Sequence, residues 1–412
     1  WNDSTKQMCF QALKVFRQRV PELSDNKTVL GIEKIVLAQE QQLKVQQATK
    51  EKLMCSPITD SNIAYSDFVL GKMLGSGSYA FVQHARRIVH GLSQQYWPDF
   101  AMKVMQKSVI AQEHYEENVQ REIALLKKFS SQPYVSQAKH SIIQLLCSFE
   151  EVDHYYLVLE YAPKGDVFSI LTKMGSVSEK PWAQYVCAQI IRALEVVHSA
   201  GYVFGDLKPE NLVITSNHQV KLVDFASAVP IRSCSSSSSS SSSSSIYGST
   251  LYLAPEIIDG RGYPTTACDI WALGILLYQL LAGRVPFFSE SNAGIVAIVK
   301  HYAHQMLSGR QTSTKLVFPS HFSPQVVDLI QKMLHPDPEQ RATLDMLKDH
   351  VWFKNVDWQV HPDRVIAPQP TQGGVNASAV EWKLRQRSYS MMMTNMLPKK
   401  YDFSTVELEP IK

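Results

Sequence analysis

The chain has 412 residues, and its 41 basic and 38 acidic side chains leave a formal net charge of +3, too small to mark a nucleic-acid or anionic-membrane surface. At 45% hydrophobic and 19% charged residues the composition is that of a globular chain able to bury a large core, and no run nears the roughly 18 apolar residues of a membrane helix. The charge excludes neither partner, but the expectation is no nucleic acid and no integral membrane segment. Six scattered cysteines (Cys9, Cys55, Cys147, Cys187, Cys234, Cys268) without a CxxC fit buried thiols in a reducing, cytoplasmic setting better than a disulfide framework. The first residue is Trp1 rather than Met, so the lack of a targeting signal excludes nothing.

Residues 1–66 form a Gln- and Lys-rich extension in which "KIVLAQEQQLKVQQATKEKL" spaces its apolar positions irregularly. A weakly amphipathic helix and a solvated tether are equally open readings. At "SDFVLGKMLGSGSYAFVQHARRIV" alternation interrupted by glycines predicts two strands around a tight turn. "FAMKVM" predicts a third strand, with Phe100, Met102 and Val104 on one face and Ala101, Lys103 and Met105 on the other. "EHYEENVQREIALLKKF" has helical spacing, "SIIQLLCSF" and "HYYLVLEYA" return to strand patterns, and long helices follow at "WAQYVCAQIIRALEVVHSA", "ACDIWALGILLYQLLAG" and "SPQVVDLIQKML". Ser235–Ser245 is an unbroken run of eleven serines, read either as a flexible loop or artefact of the expressed sequence, or as a phosphorylated segment.

Chemistry gathers on a few positions. "GSGSYAFV" places Gly75 and Gly77 where bare backbone can approach phosphate oxygens, with Leu74 and Val82 beside them. Lys103 on the next strand is costly to bury without a partner, and Glu122 on the next helix can supply one. "FGDLKPEN" contributes Asp206, Lys208 and Asn211, and "LVDF" contributes Asp224. An aspartate can accept a hydroxyl proton, a lysine can neutralise a moving phosphoryl group, and Asn211 with Asp224 can hold magnesium. "YLAPEII" supplies Glu256 and "PEQRAT" supplies Arg341, a candidate ion-pair partner for it.

In order, type and spacing these residues resemble the protein kinase family. The resemblance covers residues 67–353, with an N-lobe to about 162, a C-lobe from about 163, and a tail of residues 354–412 with no further domain. It implies an α+β, bilobal protein kinase fold: a small antiparallel N-lobe sheet with one main helix, then a larger, mainly helical C-lobe. It also implies ATP and Mg2+ as cofactors. Asp206, Lys208, Lys103 and Glu122 become the expected catalytic set, and Asn211 and Asp224 the metal ligands. Leu74, Gly75, Gly77, Val82, Ala101, Lys103, Leu159, Glu160, Ala162, Asp166, Asn211 and Asp224 become the nucleotide contacts. Lys208 and Ser249 imply the serine/threonine branch. Within it, "KVMQKSVIAQEHYEENVQREIALL", "DHYYLVLEYAPKGDVFSIL", "DIWALGILLYQLLAGRVPF" and "HVWFKNVDW" are most similar to the phosphoinositide-dependent kinases of the AGC group. That likeness implies activation loops of other AGC kinases as substrates, docking at an N-lobe groove near Lys107, Ile110 and Val119. Glu116, Gln120 and Ile123 depart from the groove's usual residues, and the tail is expected to be too short for the lipid-binding domain usual in those kinases.

Three letters depart from the family's signature. Phe204 and Gly205 stand where the loop HRDLKPEN has His and Arg, and Ala226 replaces the glycine of Asp-Phe-Gly. A phenyl ring is expected to fill the histidine's place in a stacked column with Phe225, Leu126 and Leu145. Gly205 removes one arm that grips an activation-loop phosphate, leaving Arg121 to face the expected phosphosite Ser245. Ala226 costs strain only if its φ is positive. The expectation is an active serine/threonine kinase with little dependence on Ser245. The alternative is a pseudokinase-like scaffold that binds nucleotide and partners without catalysis. "RQRSYS", Arg385 to Ser390, is read either as a solvated charge cluster or as a basic-directed phosphorylation site.

Overall fold

A computed structural model of the chain describes residues 27–59, 62–77, 79–131, 134, 140–231, 249–260, 263–308 and 316–359. The serine run with Ser245, and the tail with its Arg385 to Ser390 segment, lie outside the described residues. Two compact units are present: the residues up to Gly71 together with His84–Phe100, and Lys72–Gln83 together with the residues from Ala101 onward.

In the first unit, α1 spans Lys27–Cys55, so this part of the extension is a helix; residues 1–26 lie outside the described residues. It lacks a consistent apolar stripe, with Ile35, Leu37 and Val45 exposed. Side chains one turn apart support it instead, as in Lys44 with Glu40 at 3.0 Å and Gln47 with Glu51 at 2.7 Å. Lys50 near its end binds Asp99 at 2.6 Å, and His84 binds the other oxygen of that carboxylate at 2.9 Å. Burial pushes the Asp99 carboxyl up, but hydrogen bonds from His84 and Lys50 outweigh it and hold the group below the usual carboxylate range.

The strands β1 (Phe68–Ser76), β2 (Ala80–Arg87), β3 (Asp99–Gln106), β4 (Leu145–Glu150) and β5 (His154–Glu160) form a sheet in the order β1-β2-β3-β5-β4. The Gly77 N–H donates to the Ala80 carbonyl at 2.8 Å and closes the glycine-rich turn. β3 is buried on both faces from Phe100 to Met105, Lys103 included. It runs directly into α2 (Lys107–Gln112) and then α3 (Glu116–Phe129). The expected helix from Glu113 starts three residues late because His114 takes φ +53° and Tyr115 is non-helical. Acidic Glu116 and Glu117 open α3 while Lys127 and Lys128 close it, matching the helix dipole. β4 also begins later than its apolar run, because residues 141–143 bond to Leu222 instead. It pairs antiparallel with β5, Phe149 facing Tyr156.

Helices dominate thereafter: α4 (Val167–Met174), α5 (Gln184–Ser199), α6 (Pro255–Ile258), α7 (Thr266–Ala282), α8 (Asn292–Leu307), α9 (Pro324–Met333) and α10 (Leu344–Lys348). α7 is buried on all sides from Cys268 to Leu281, as a run that is apolar apart from Asp269 and Gln279 demands. Two small antiparallel pairs matter most for function: β6 (Tyr202–Val203) with β9 (Val229–Pro230), and β7 (Leu212–Ile214) with β8 (Val220–Leu222). Their ends fix both loops that carry Asp206 to Asn211 and Asp224. The α+β class, sheet first and helices after, is the one expected. Of the residues expected beside a docking groove, Ile110 and Val119 are 0% and 1% exposed, and partly exposed Lys107 binds Glu150 at 2.9 Å.

Candidate active site

Lys103 is the hub. Its Nζ donates to both oxygens of Glu122 at 2.7 and 2.8 Å and to Asp224 at 2.9 Å, so β3, α3 and the segment after β8 meet at one ammonium. Burial acts against that charge, yet Asp224 and Glu122 more than restore it, and Lys103 stays protonated above the ordinary lysine value. Burial likewise raises Asp224, but Lys103 outweighs it and keeps the carboxylate ionised below its usual value. Asp224 itself takes φ +65°, a strained conformation for a non-glycine residue that is typical of residues held for function.

The second cluster lies on the loop between β6 and β7. Lys208 Nζ donates to Asp206 Oδ2 at 2.5 Å and to Ser249 Oγ at 3.2 Å, and the Ser249 N–H donates to Asp206 Oδ1 at 3.1 Å. Asn211 Nδ2 donates to the Asp206 carbonyl at 2.8 Å and to its carboxylate at 3.1 Å. Burial raises the Asp206 carboxyl and Lys208 counters it, leaving the group above the usual aspartate range, the direction useful for a proton acceptor.

Beneath this loop, buried Asp269 of α7 accepts from the backbone N–H groups of Phe204 and Gly205 at 2.9 Å each and from His198 at 2.8 Å. The sequence reading missed Asp269, although an acid inside an all-apolar helix was the available signal. Gly205, held by that bond, takes φ +82°, and a Cβ there would lie 2.9 Å from the Ser227 carbonyl oxygen. Its glycine therefore has a conformational use beyond the loss of an arginine. The Phe204 ring meets Phe225 at 5.3 Å, and Phe225 meets Phe129 at 5.3 Å, with Leu126 and Leu145 buried in the same cluster. Ala226 is not among the residues with positive φ, so alanine costs no strain there. α3 grips this segment too: Asn118 donates to the Ala226 carbonyl at 2.9 Å and Arg121 to that of Ala228 at 3.1 Å. Arg341 binds Glu256 through both oxygens at 2.7 and 2.8 Å.

The residues expected around a nucleotide fall into place in part. Ala101 and Leu159 are core residues, and Leu74 and Val82 pack on that core. The Glu160 carboxylate is held by buried Lys221 at 2.8 and 2.5 Å, a partner not foreseen from the residue pattern. Asp166 caps α4 through Ser169 at 2.5 Å. A Cβ added at Gly75 would meet no heavy atom within 4 Å beyond its chain neighbours, and at Gly77 the nearest is the Ala80 carbonyl oxygen at 3.8 Å, so neither position is crowded. Asp224 is 43% exposed beyond its lysine contact, and Asn211, its amide nitrogen already committed, has its oxygen to offer. Two hard oxygen donors with the rest left to phosphate and water suit magnesium. Among the described residues no group of three or more His, Cys, Asp or Glu could form an all-protein cage.

A family model described as the protein kinase domain matches residues 68–353. The chain is 31% identical over 309 residues to 3-phosphoinositide-dependent protein kinase 1 of Arabidopsis thaliana, covering 72% of this chain and 57% of that protein. It is 32% identical over 310 residues to an Aurora kinase of Dictyostelium discoideum, covering 75% and 70%. It is 33% identical over 274 residues to the human cAMP-dependent protein kinase catalytic subunit PRKX, covering 65% and 68%. It thus spans little more than half the length of the Arabidopsis kinase and 41% of the similar Saccharomyces cerevisiae kinase PKH1.

Proposed function

Because the chain belongs to the protein kinase family, we propose that it is an active serine/threonine kinase that transfers the γ-phosphoryl group of ATP to Ser or Thr hydroxyls of proteins. The observation that carries this reading is the Lys103 ammonium bridging Glu122 and Asp224 at 2.7–2.9 Å, in the same structure that ties Asp206, Lys208 and Ser249 together. The hydroxyl oxygen forms the new bond to phosphorus, its proton goes to Asp206, and the bond to the β-phosphate oxygen breaks to release ADP. Lys208 sits where it steadies negative charge at the transferred group, while Lys103, fixed by Glu122, orients the remaining phosphates. Bound at Asp224 and Asn211, magnesium would neutralise phosphate charge. The Ser249 hydroxyl beside Lys208 supports the serine/threonine branch.

Activation loops of AGC kinases are the substrate class favoured by the likeness to phosphoinositide-dependent kinases. A cytoplasmic place of action belongs to the same proposal, supported by the free thiols of Cys187 and Cys268. Among the described residues no helix is long and apolar enough to cross a membrane. The deciding experiment follows magnesium-dependent transfer of labelled γ-phosphate to peptides carrying AGC activation-loop sequences and to peptide substrates of Aurora and cAMP-dependent kinases. Wild type and Asp206→Asn are compared. Labelling of Ser or Thr that disappears in the variant is the expected result. Bound nucleotide without transfer to any peptide or generic protein substrate would overturn the proposal in favour of a scaffold.

A further inference from the structure

The phosphoryl-transfer reading leaves Tyr79 and Tyr115 without a role, yet they form the tightest ring pair in the neighbourhood of the site. Their centroids are 4.2 Å apart and their planes 23° from parallel. Tyr79 belongs to the glycine-rich turn, inside the loop closed by the Gly77 to Ala80 hydrogen bond. Tyr115 is anchored independently, its N–H donating to the Ile110 carbonyl at 2.9 Å and its carbonyl accepting from Val119 at 3.2 Å at the start of α3. The stack therefore joins the tip of the turn to the helix that carries Glu122. Both rings are half-buried against the core. The Tyr115 hydroxyl is raised above the ordinary phenol value, first by burial and then by the Asp224 carboxylate, so this ring lies within the electrostatic reach of the site.

The stack does not crowd the turn at Gly75. Gly75 still has open space on its Cβ side, and Asp224 keeps 43% exposure. We infer that Tyr79 and Tyr115 are positioning residues that form an aromatic latch, holding the glycine-rich turn closed over the phosphates of a bound nucleotide. The inference rests on the nucleotide site proposed above. A latch of this kind slows nucleotide release and lowers the KM for ATP; it leaves recognition of the protein substrate unchanged.

The test is a double-mutant cycle on release of a fluorescent ADP analogue with magnesium, read alongside steady-state kinetics. Tyr79→Ala and Tyr115→Ala should each speed release by about twofold to tenfold, the range of one aromatic pair. The double variant should be no faster than the faster single variant. Tyr115→Phe, which keeps the ring, should retain the wild-type release rate. KM for ATP should rise in the alanine variants while KM for peptide stays fixed. Independent, multiplying effects, an unchanged rate in Tyr115→Ala, or a Tyr115→Phe variant as fast as the alanine would each overturn the latch, as would wild type that binds no nucleotide. Coupled release rates without transfer would keep the latch and sink the kinase reading. Transfer with uncoupled release rates would do the reverse.

Discussion

Replacing Gly205 by alanine adds one methyl group, and the structure gives reasons for it to be costly. The residue sits at φ +82°, and the new Cβ would stand 2.9 Å from the Ser227 carbonyl oxygen, closer than real Cβ atoms come. A non-glycine residue in such a conformation costs about 1–3 kcal/mol. The backbone cannot escape easily, because the N–H groups of Phe204 and Gly205 are both tied to buried Asp269 at 2.9 Å. For a domain of this size each kcal/mol lowers Tm by about 2–4 °C, so a fall of roughly 2–12 °C is expected in thermal unfolding. Should the loop instead shift to relieve the clash, Asp206 moves with it, and misplacement by about 1 Å can cost on the order of 100-fold in kcat. Gly205→Ala should therefore lose stability, kcat or both. In an Asp269→Ala background, where the loop is free to relax, the added cost of alanine should shrink. A Gly205→Ala variant that unfolds and turns over like wild type, or a cost undiminished without Asp269, would refute the reasoning.

Two further outcomes follow from the same geometry. The Asp206 carboxyl is raised by burial and held back by Lys208. Activity needs the ionised form, so it is present above the folded-state pKa and lost as pH falls through it. Lys208→Met removes the restraining charge and should move the acid limb of kcat upward as well as lowering its plateau; a limb that stays put or moves down would contradict this. The neutral form is the one favoured by folding, so this group's contribution to stability is lost as pH rises through the folded value. Glu256→Ala strips the partner from an Arg341 side chain that is 0% exposed, and breaking a buried pair from one side costs about 3–5 kcal/mol. Chemical denaturation should show a loss of that order, and a change below about 1 kcal/mol would mean that the main-chain carbonyls around Arg341 suffice.

Much of the site was legible because its chemistry is carried by residue types that are costly anywhere else. A lysine in a strand buried on both faces demands a carboxylate, and the spacing to Glu122 told where to look. What the sequence could not convey were contacts that depend on backbone direction. Nothing in "VKL" distinguishes Lys221 from a surface lysine, yet it is buried on Glu160 of β5. Nor does "ENVQRE" reveal that Asn118 and Arg121 spend their donors on the Ala226 and Ala228 carbonyls. Nor does residue type tell that Ile110 and Val119, expected beside a docking groove, are drawn wholly into the core.

The three altered letters make physical sense together rather than as separate losses. Phe204 replaces a polar ring by an apolar one and extends a run of phenyl rings through Phe225 to Phe129, while its backbone N–H keeps the bond to Asp269. Gly205, next to it, meets the conformation that this bond imposes without a side chain to collide with Ser227. Ala226 needs no special backbone conformation, because the positive φ falls on Asp224 two residues earlier, and its carbonyl is gripped by α3 through Asn118. Each change thus falls on packing or on backbone conformation, at points where the surrounding contacts accommodate it. The groups that would meet ATP and a hydroxyl, Lys103, Glu122, Asp206, Lys208, Asn211 and Asp224, are the residue types of the family's signature and lie in two hydrogen-bonded clusters. The strain of this arrangement sits on Asp224, with Lys103 bound to it at 2.9 Å, so charge holds that carboxylate in a conformation the backbone alone would not favour.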